Sequence, residues 1–165
     1  MSGLKTNLKN RLEGAAKIAI LGIGSLLRAD DAAGMLVAEN IEKHCGKTNR
    51  KPEIKVFFGE TAPENLTGEI KKFEPTHLII IDSGDAGKEP GAITIINPEE
   101  VTGVSFSTHQ LPTGIMIDYL LKFIKCRVTV IVIQPKILTF NHPLSKEITG
   151  AVKALSSTLN QLFVI

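Results

Sequence analysis

The sequence has no tryptophan, one tyrosine and an aromatic content of only 5%. It also lacks charge of one dominant sign: 19 Lys and Arg stand against 17 Asp and Glu, a formal net charge of +2. No basic run exceeds a pair, and the nearest approach to a cluster, Lys47 with Arg50 and Lys51, reads as a solvated turn. A nucleic-acid surface needs basic residues concentrated on one face, so no nucleic-acid partner is expected. The two cysteines, Cys45 and Cys126, are far apart, which excludes a thiolate metal site and a disulfide framework and fits a reducing, cytoplasmic setting. Residues 1–14 are polar, carry Lys5, Lys9 and Arg11, and hold no apolar core segment, so they do not read as a signal peptide. The longest apolar runs, 78–81 and 128–133, fall far short of the roughly 20 residues a membrane-spanning helix needs, and no membrane insertion is expected.

What is present is an ordinary globular composition, 43% hydrophobic and 22% charged, in a chain of 165 residues. That length supports one sizeable core, so the expectation is a single domain over 1–165, with 1–15 as an N-terminal extension that can form a short extra helix. There is no internal repeat and no Pro/Gly-rich linker.

Short β-branched runs alternate with helical patterns. Strands are predicted over 17–23, 54–58, 77–81, 92–96 and 128–133. The run 77–81 is apolar almost without interruption after His77, as a central strand buried on both faces would be, and it is expected to end at Asp82. The strand 92–96 follows too closely for a helical crossover and is expected to be antiparallel or at an edge. Ala33, Val37 and Ile41 mark the buried stripe of a helix running to about Lys43. Thr61-Ala62-Pro63-Glu64 reads as a capping box opening a helix with Leu66, Ile70 and Phe73 buried. A short helical turn is expected from Asn97, a loop over 104–110, and a helix over 113–125 burying Met116, Leu120 and Phe123. Ser145 caps a final helix with Ile148, Val152, Leu155, Leu159 and Leu162 on its apolar side. The predicted fold is α/β: a three-layer α/β/α sandwich on a mostly parallel sheet of about five strands, with one short antiparallel or edge strand.

Open sheets of this kind bind ligands beyond the carboxyl ends of their strands, which directs attention to three segments. Gly24 to Asp31 places two adjacent carboxylates at a helix N-terminus; if Asp30 takes the capping role, Asp31 is left to face the crevice. Asp82 ends the central strand, whereas Asp85, between Gly84 and Gly87, fits a turn residue bonded to its own backbone. His109 lies in a loop feeding a helix, while His44, His77 and His142 read as structural or surface residues. Asp31, Asp82 and His109 together make a donor set suited to Ni²⁺, Zn²⁺ or Mn²⁺ with coordination positions left open. The same trio can equally act as base, orienter and electrostatic stabiliser without a metal, and spacing does not choose between the two. Gly22-Ile23-Gly24 begins like a dinucleotide-binding fingerprint but has Leu27 where the third glycine belongs. No Walker sequence, nucleophile elbow or HExxH is present.

Five motifs in order resemble those of the hydrogenase maturation proteases, over nearly the whole chain from about Ala16 to Leu162. The segment 21–34, Leu-Gly-Ile-Gly-Ser-Leu-Leu-Arg-Ala-Asp-Asp-Ala-Ala-Gly, resembles the family's opening motif of Gly-Asn, three residues, then Gly-Asp-(Asp/Glu)-Gly. Thr61 to Asn65, Ile81-Asp82-Ser83 with Pro90-Gly91, Thr108 to Pro112 and Ile133-Gln134-Pro135 are similar to the four that follow. The resemblance, strongest to hydrogenase-3-type proteases, implies an endopeptidase acting on the large-subunit precursor of a NiFe hydrogenase after nickel insertion. It places the metal-recognising positions on Asp31, Asp82 and His109, with nickel carried by the substrate and not tightly held by the free enzyme. Ser25 stands where the family usually has Asn, and Ala29 and Ala32 replace flanking glycines. Their methyl groups disfavour positive φ, which implies an altered loop shape. The rival expectations are a precursor-binding assembly chaperone that leaves the tail attached, and a nucleotide-binding α/β enzyme using the Gly24 turn.

Overall fold

In the computed structural model, which describes residues 2–45, 52–106 and 113–163, the apolar runs pair as one sheet. Strands β1 (Lys17–Ile23), β2 (Glu53–Glu60), β3 (His77–Asp85) and β6 (Arg127–Ile133) are parallel, and β4 (Ile93–Ile96) lies antiparallel on β6 at the edge, giving the order β2-β1-β3-β6-β4. The short link between β3 and β4 leaves no room for a helical crossover, which dictates the antiparallel pairing. A sixth, two-residue strand, β5 (Ser105–Phe106), pairs antiparallel with the end of β3 through Gly84↔Phe106 and Asp85↔Ser105. The sheet therefore has six strands where about five were expected, and part of the expected loop 104–110 is strand.

Alternation of side chains along the central strands divides the core in two. Ile18, Ile20, Ile79, Ile81, Ile131 and Ile133 pack toward α2 (Ala33–Cys45) and α5 (Lys146–Phe163). Ala19, Leu21, Leu78, Ile80, Val130 and Val132 pack toward α3 (Thr67–Phe73) and α4 (Thr113–Leu121). Both faces of β1, β3 and β6 are thus covered, which explains their near-continuous apolar sequence. Helix α5 buries Ile148, Val152, Leu155 and Leu159, and Ser145 Oγ accepts the Ile148 N–H at 3.3 Å as its cap. The N-terminal segment forms α1 (Ser2–Arg11), whose Leu8 is fully buried in the α2/α5 layer.

Several local expectations are corrected. Strand β3 does not end at Asp82 but continues to Asp85, because β6 and then β5 supply partners for the extra residues. Thr61 is not a cap: Pro63 at the first position starts the 3₁₀ turn Pro63–Leu66 behind Ala62, and no side-chain cap bond forms. A reciprocal capping box is found instead at Asn97 and Glu100, opening the turn Pro98–Gly103. Helix α4 stops at Leu121, so Phe123 is not buried but 60% exposed. Its ring lies 5.0 Å from that of Tyr119 and 4.2 Å from the Lys71 ammonium. The basic cluster of Lys47, Arg50 and Lys51 lies outside the described residues. No described helix is long and apolar enough to cross a membrane.

Candidate functional site

The chain steps from β1 to β2 on one side and then crosses to β3 on the other, so the switch point of the sheet lies between the carboxyl ends of β1 and β3. That is where a crevice opens in a doubly wound sheet. Helix α2 begins on top of it. A Cβ on Gly34 would fall 2.2 Å from the carbonyl oxygen of Ile81 and 2.4 Å from that of Ile23, so only a glycine lets the helix settle on both strands. Asp31 lies just ahead of this contact and Asp82 follows Ile81 directly, so the backbones of both aspartates lie near the switch point.

Asp31 is held by the turn that joins β1 to α2. Gly24 has φ +131°, and a Cβ there would fall 1.8 Å from the Asp31 carbonyl oxygen, so the two backbones touch. From the 3₁₀ turn Ala29–Ala32, Asp31 Oδ2 accepts the Ser25 N–H at 2.8 Å, and the residue is 0% exposed. Ala29, at φ +46°, adopts the left-handed conformation despite its methyl group. The methyl group makes this conformation costly, by about 1–2 kcal/mol, yet the surrounding contacts impose it at Ala29, whereas Ala32 is not among the positive-φ residues.

Asp82 is also 0% exposed, and its Oδ1 accepts the Ser83 N–H at 2.7 Å. By alternation along β3 its side chain follows Leu78 and Ile80 toward the α3/α4 layer. Both aspartates are thus buried near the switch point. Among the described residues no group of three or more His, Cys, Asp or Glu side chains gathers into a metal cluster. His109, the third predicted member, lies outside the described residues.

Asp30 does something the sequence did not announce. Its backbone N–H donates to the Ile137 carbonyl at 3.0 Å. Its fully buried carboxylate accepts three backbone N–H groups from beyond β6: Lys136 at 2.9 Å, Ile137 at 2.8 Å and Ser145 at 2.8 Å. Asp30 is thus a clamp on the loop entering α5 rather than a helix cap; the 3₁₀ turn has Arg28 at its cap position and no side-chain cap bond. Gln134 plays a parallel part on the other side. Its Oε1 accepts the N–H groups of Ala86 (2.9 Å) and Lys88 (3.2 Å), and its Nε2 donates to Asp85 Oδ1 at 3.2 Å. Asp85 also accepts the Gly87 N–H at 2.9 Å, the turn role expected of it, and this bond with that from Gln134 holds its carboxyl below the usual range. Only adjacency of two aspartates hinted at these roles, because their partners are distant in sequence.

The remaining candidates take no part. His44 Nδ1 lies 2.8 Å from the Asn40 carbonyl, His142 Nδ1 lies 2.9 Å from that of Pro143, and buried His77 Nδ1 lies 2.9 Å from Thr76 Oγ1. Both cysteines are free thiols; burial raises Cys45 and pushes Cys126 up to about 11, so neither is an activated thiolate.

The doubly wound α/β/α fold has its switch point between β1 and β3, with the buried Asp31 and Asp82 beside it, the region where folds of this class bind ligands. Comparison with known proteins makes the class specific. The family model described as hydrogenase maturation protease (HycI) matches residues 35–161, a span that includes Asp82 and His109 and begins just after Asp31. The hydrogenase 3 maturation protease of Escherichia coli is 34% identical over 141 residues, 85% of this chain and 86% of that protein. The crystal structure of the NiFe hydrogenase maturation protease HycI from Thermococcus kodakarensis superposes with a TM-score of 0.86 at 27% identity, covering 96% of this chain and 99% of the other. The solution structure of the endopeptidase HycI from Escherichia coli does so at 0.73 and 33% identity, covering 88% and 90%. The chain belongs to the hydrogenase maturation protease family and is a hydrolase of the endopeptidase class.

Proposed function

We propose that this protein removes the C-terminal extension of a NiFe hydrogenase large-subunit precursor once nickel is in place, with Asp31, Asp82 and His109 meeting the nickel that the substrate carries. The observation behind this reading is the pair of fully buried carboxylates brought from separate segments to adjacent strand ends in a member of a maturation protease family. Two carboxylates and an imidazole suit a borderline divalent ion and leave positions for ligands already on it. A nickel ion gripped in this way fixes the neighbouring peptide bond against the crevice, so that positioning supplies much of the rate. Hydrolysis adds a water oxygen to the carbonyl carbon, breaks the C–N bond and delivers a proton to the departing amine. The water is activated either by the ion or by a carboxylate acting as base. Nickel arrives with the substrate and leaves with it, so tight binding to the free enzyme is not required.

The test uses intact mass of a nickel-loaded precursor before and after exposure to the protein. Asp31→Asn, Asp82→Asn and His109→Ala should each abolish loss of the tail while keeping the circular dichroism spectrum of the parent, and a nickel-free precursor should stay intact. Processing at the parent rate by all three variants would refute the site. A tail left attached by the parent protein, with precursor bound, would favour an assembly chaperone.

A further inference from the structure

The loops around the crevice carry an apolar lip. Leu26, Leu27 and Phe140 are 53%, 58% and 59% exposed, although large apolar side chains gain from burial and rarely converge on a surface without a partner. Leu26 and Leu27 follow Ser25, whose N–H is bonded to Asp31 Oδ2. Phe140 comes from the distant loop between β6 and α5, and the two loops are bolted together at three places. The Asn141 N–H donates to the Leu27 carbonyl at 2.8 Å, the Asp30 N–H to the Ile137 carbonyl at 3.0 Å, and the Asp30 carboxylate accepts the Lys136 and Ile137 N–H groups. The backbone of the lip is therefore held in place, and it follows directly on Ser25, whose N–H bonds Asp31 Oδ2.

We infer that Leu26, Leu27 and Phe140 form the subsite that holds an apolar side chain of the precursor close to its scissile bond; this rests on the endopeptidase reading of the Asp31 and Asp82 crevice. An endopeptidase must lay an extended peptide across its reacting centre, and an extended chain advances about 3.3 Å per residue. Because the lip begins one residue beyond the Ser25 contact to Asp31, it lies within about three substrate residues of that carboxylate. The lip side chains carry no charge, so they select an apolar group and reject a polar one through desolvation. A lip of this kind gives discrimination of about 10- to 200-fold, enough to bias which precursor is cut.

The experiment follows steady-state cleavage of nickel-loaded precursor by the full-length protein, using precursors in which each residue flanking the scissile bond is replaced in turn by Leu or by Ser. The parent should prefer Leu to Ser at one position within three residues of the cut, by about tenfold in kcat/KM. Leu27→Ser and Phe140→Ser should each remove that preference, raising KM for the Leu-bearing precursor about tenfold with kcat little changed, and Leu27→Met should keep it. The inference is overturned if the parent cleaves without any such positional preference, or if the Ser variants retain it. A parent that cleaves no nickel-loaded precursor would overturn the endopeptidase reading itself, and the subsite with it, so the two failures are distinguishable.

Discussion

Replacing Asp30 tests how the crevice is built. Its carboxylate accepts three backbone N–H groups between 2.8 and 2.9 Å, and the residue has no solvent exposure. Hydrogen bonds to charged groups are worth about 1.5–3 kcal/mol each, and buried donors left unpaired cost about as much. In Asp30→Ala all three donors lose their acceptor. Taking the low end of the range, because the Lys136 and Ile137 groups are only partly buried, gives a loss of about 4–5 kcal/mol. In Asp30→Asn an amide oxygen in the place of Oδ2 keeps Lys136 and Ile137, but the NH₂ then faces the Ser145 N–H, donor against donor. That variant should lose about 2–3 kcal/mol. For a chain of this size 1 kcal/mol shifts Tm by about 2–4 °C, so Asp30→Asn should melt roughly 4–12 °C below the parent. Urea unfolding followed by circular dichroism, with the slope m unchanged, measures both losses. If Asp30→Ala proved within 1 kcal/mol of the parent, the clamp between the two loops would not exist in solution. The account of the preorganised lip would then fail with it.

Two further outcomes follow from other parts of the fold. Gly34→Ala should cost at least about 2 kcal/mol despite alanine's better helix propensity, because its Cβ meets the Ile81 and Ile23 carbonyls. Gly68→Ala, with open space around the new Cβ, should stay within about 1 kcal/mol of the parent, and a matched loss in the two variants on urea unfolding would contradict the contact at the switch point. His77 has its pKa lowered from 6.5 by burial first and by the Arg127 guanidinium second, with a backbone contact to Arg11 opposing them. The unfolded chain therefore takes up the proton first as pH falls, and stability should decline once pH drops below about 6.5. Asp85 and Glu147 have lowered values, so their contributions fade only at more acid pH, as pH falls through their lowered values. Urea midpoints should fall between about pH 7.5 and 5.5 in the parent and stay level in His77→Gln, and parallel slopes in the two proteins would refute this assignment.

Most of the fold was legible because the signals are local. An apolar run from Leu78 to Ile81 cannot be half-solvated, so a central parallel strand follows from the residues themselves. The short link before Ile93 forces an antiparallel edge, and Ser145 with Ile148, Val152, Leu155 and Leu159 defines α5 by cap and period. Elements whose limits depend on partners were misjudged. Asp82 read as a strand end because Ser83 and Gly84 look like a turn, yet β6 and β5 lie alongside and extend the strand. Phe123 read as buried on helical spacing, yet α4 stops at Leu121, before reaching it.

The candidate site divides in the same way. The sequence by itself determined that aspartates follow the apolar runs 17–23 and 77–81, because strand periodicity and the Gly24 turn are written in consecutive residues. Only the tertiary structure decided which member of the Asp30-Asp31 pair does what. Adjacent residues in a tight turn point in different directions, and their surroundings come from remote segments. Asp31 faces back to Ser25 six residues away, while Asp30 reaches Ser145 across 115 residues. Likewise, nothing in the spacing of Leu26, Leu27 and Phe140 joins them. A backbone hydrogen bond between loops at opposite ends of the chain does, and such bonds are set by how the layers pack rather than by any local preference.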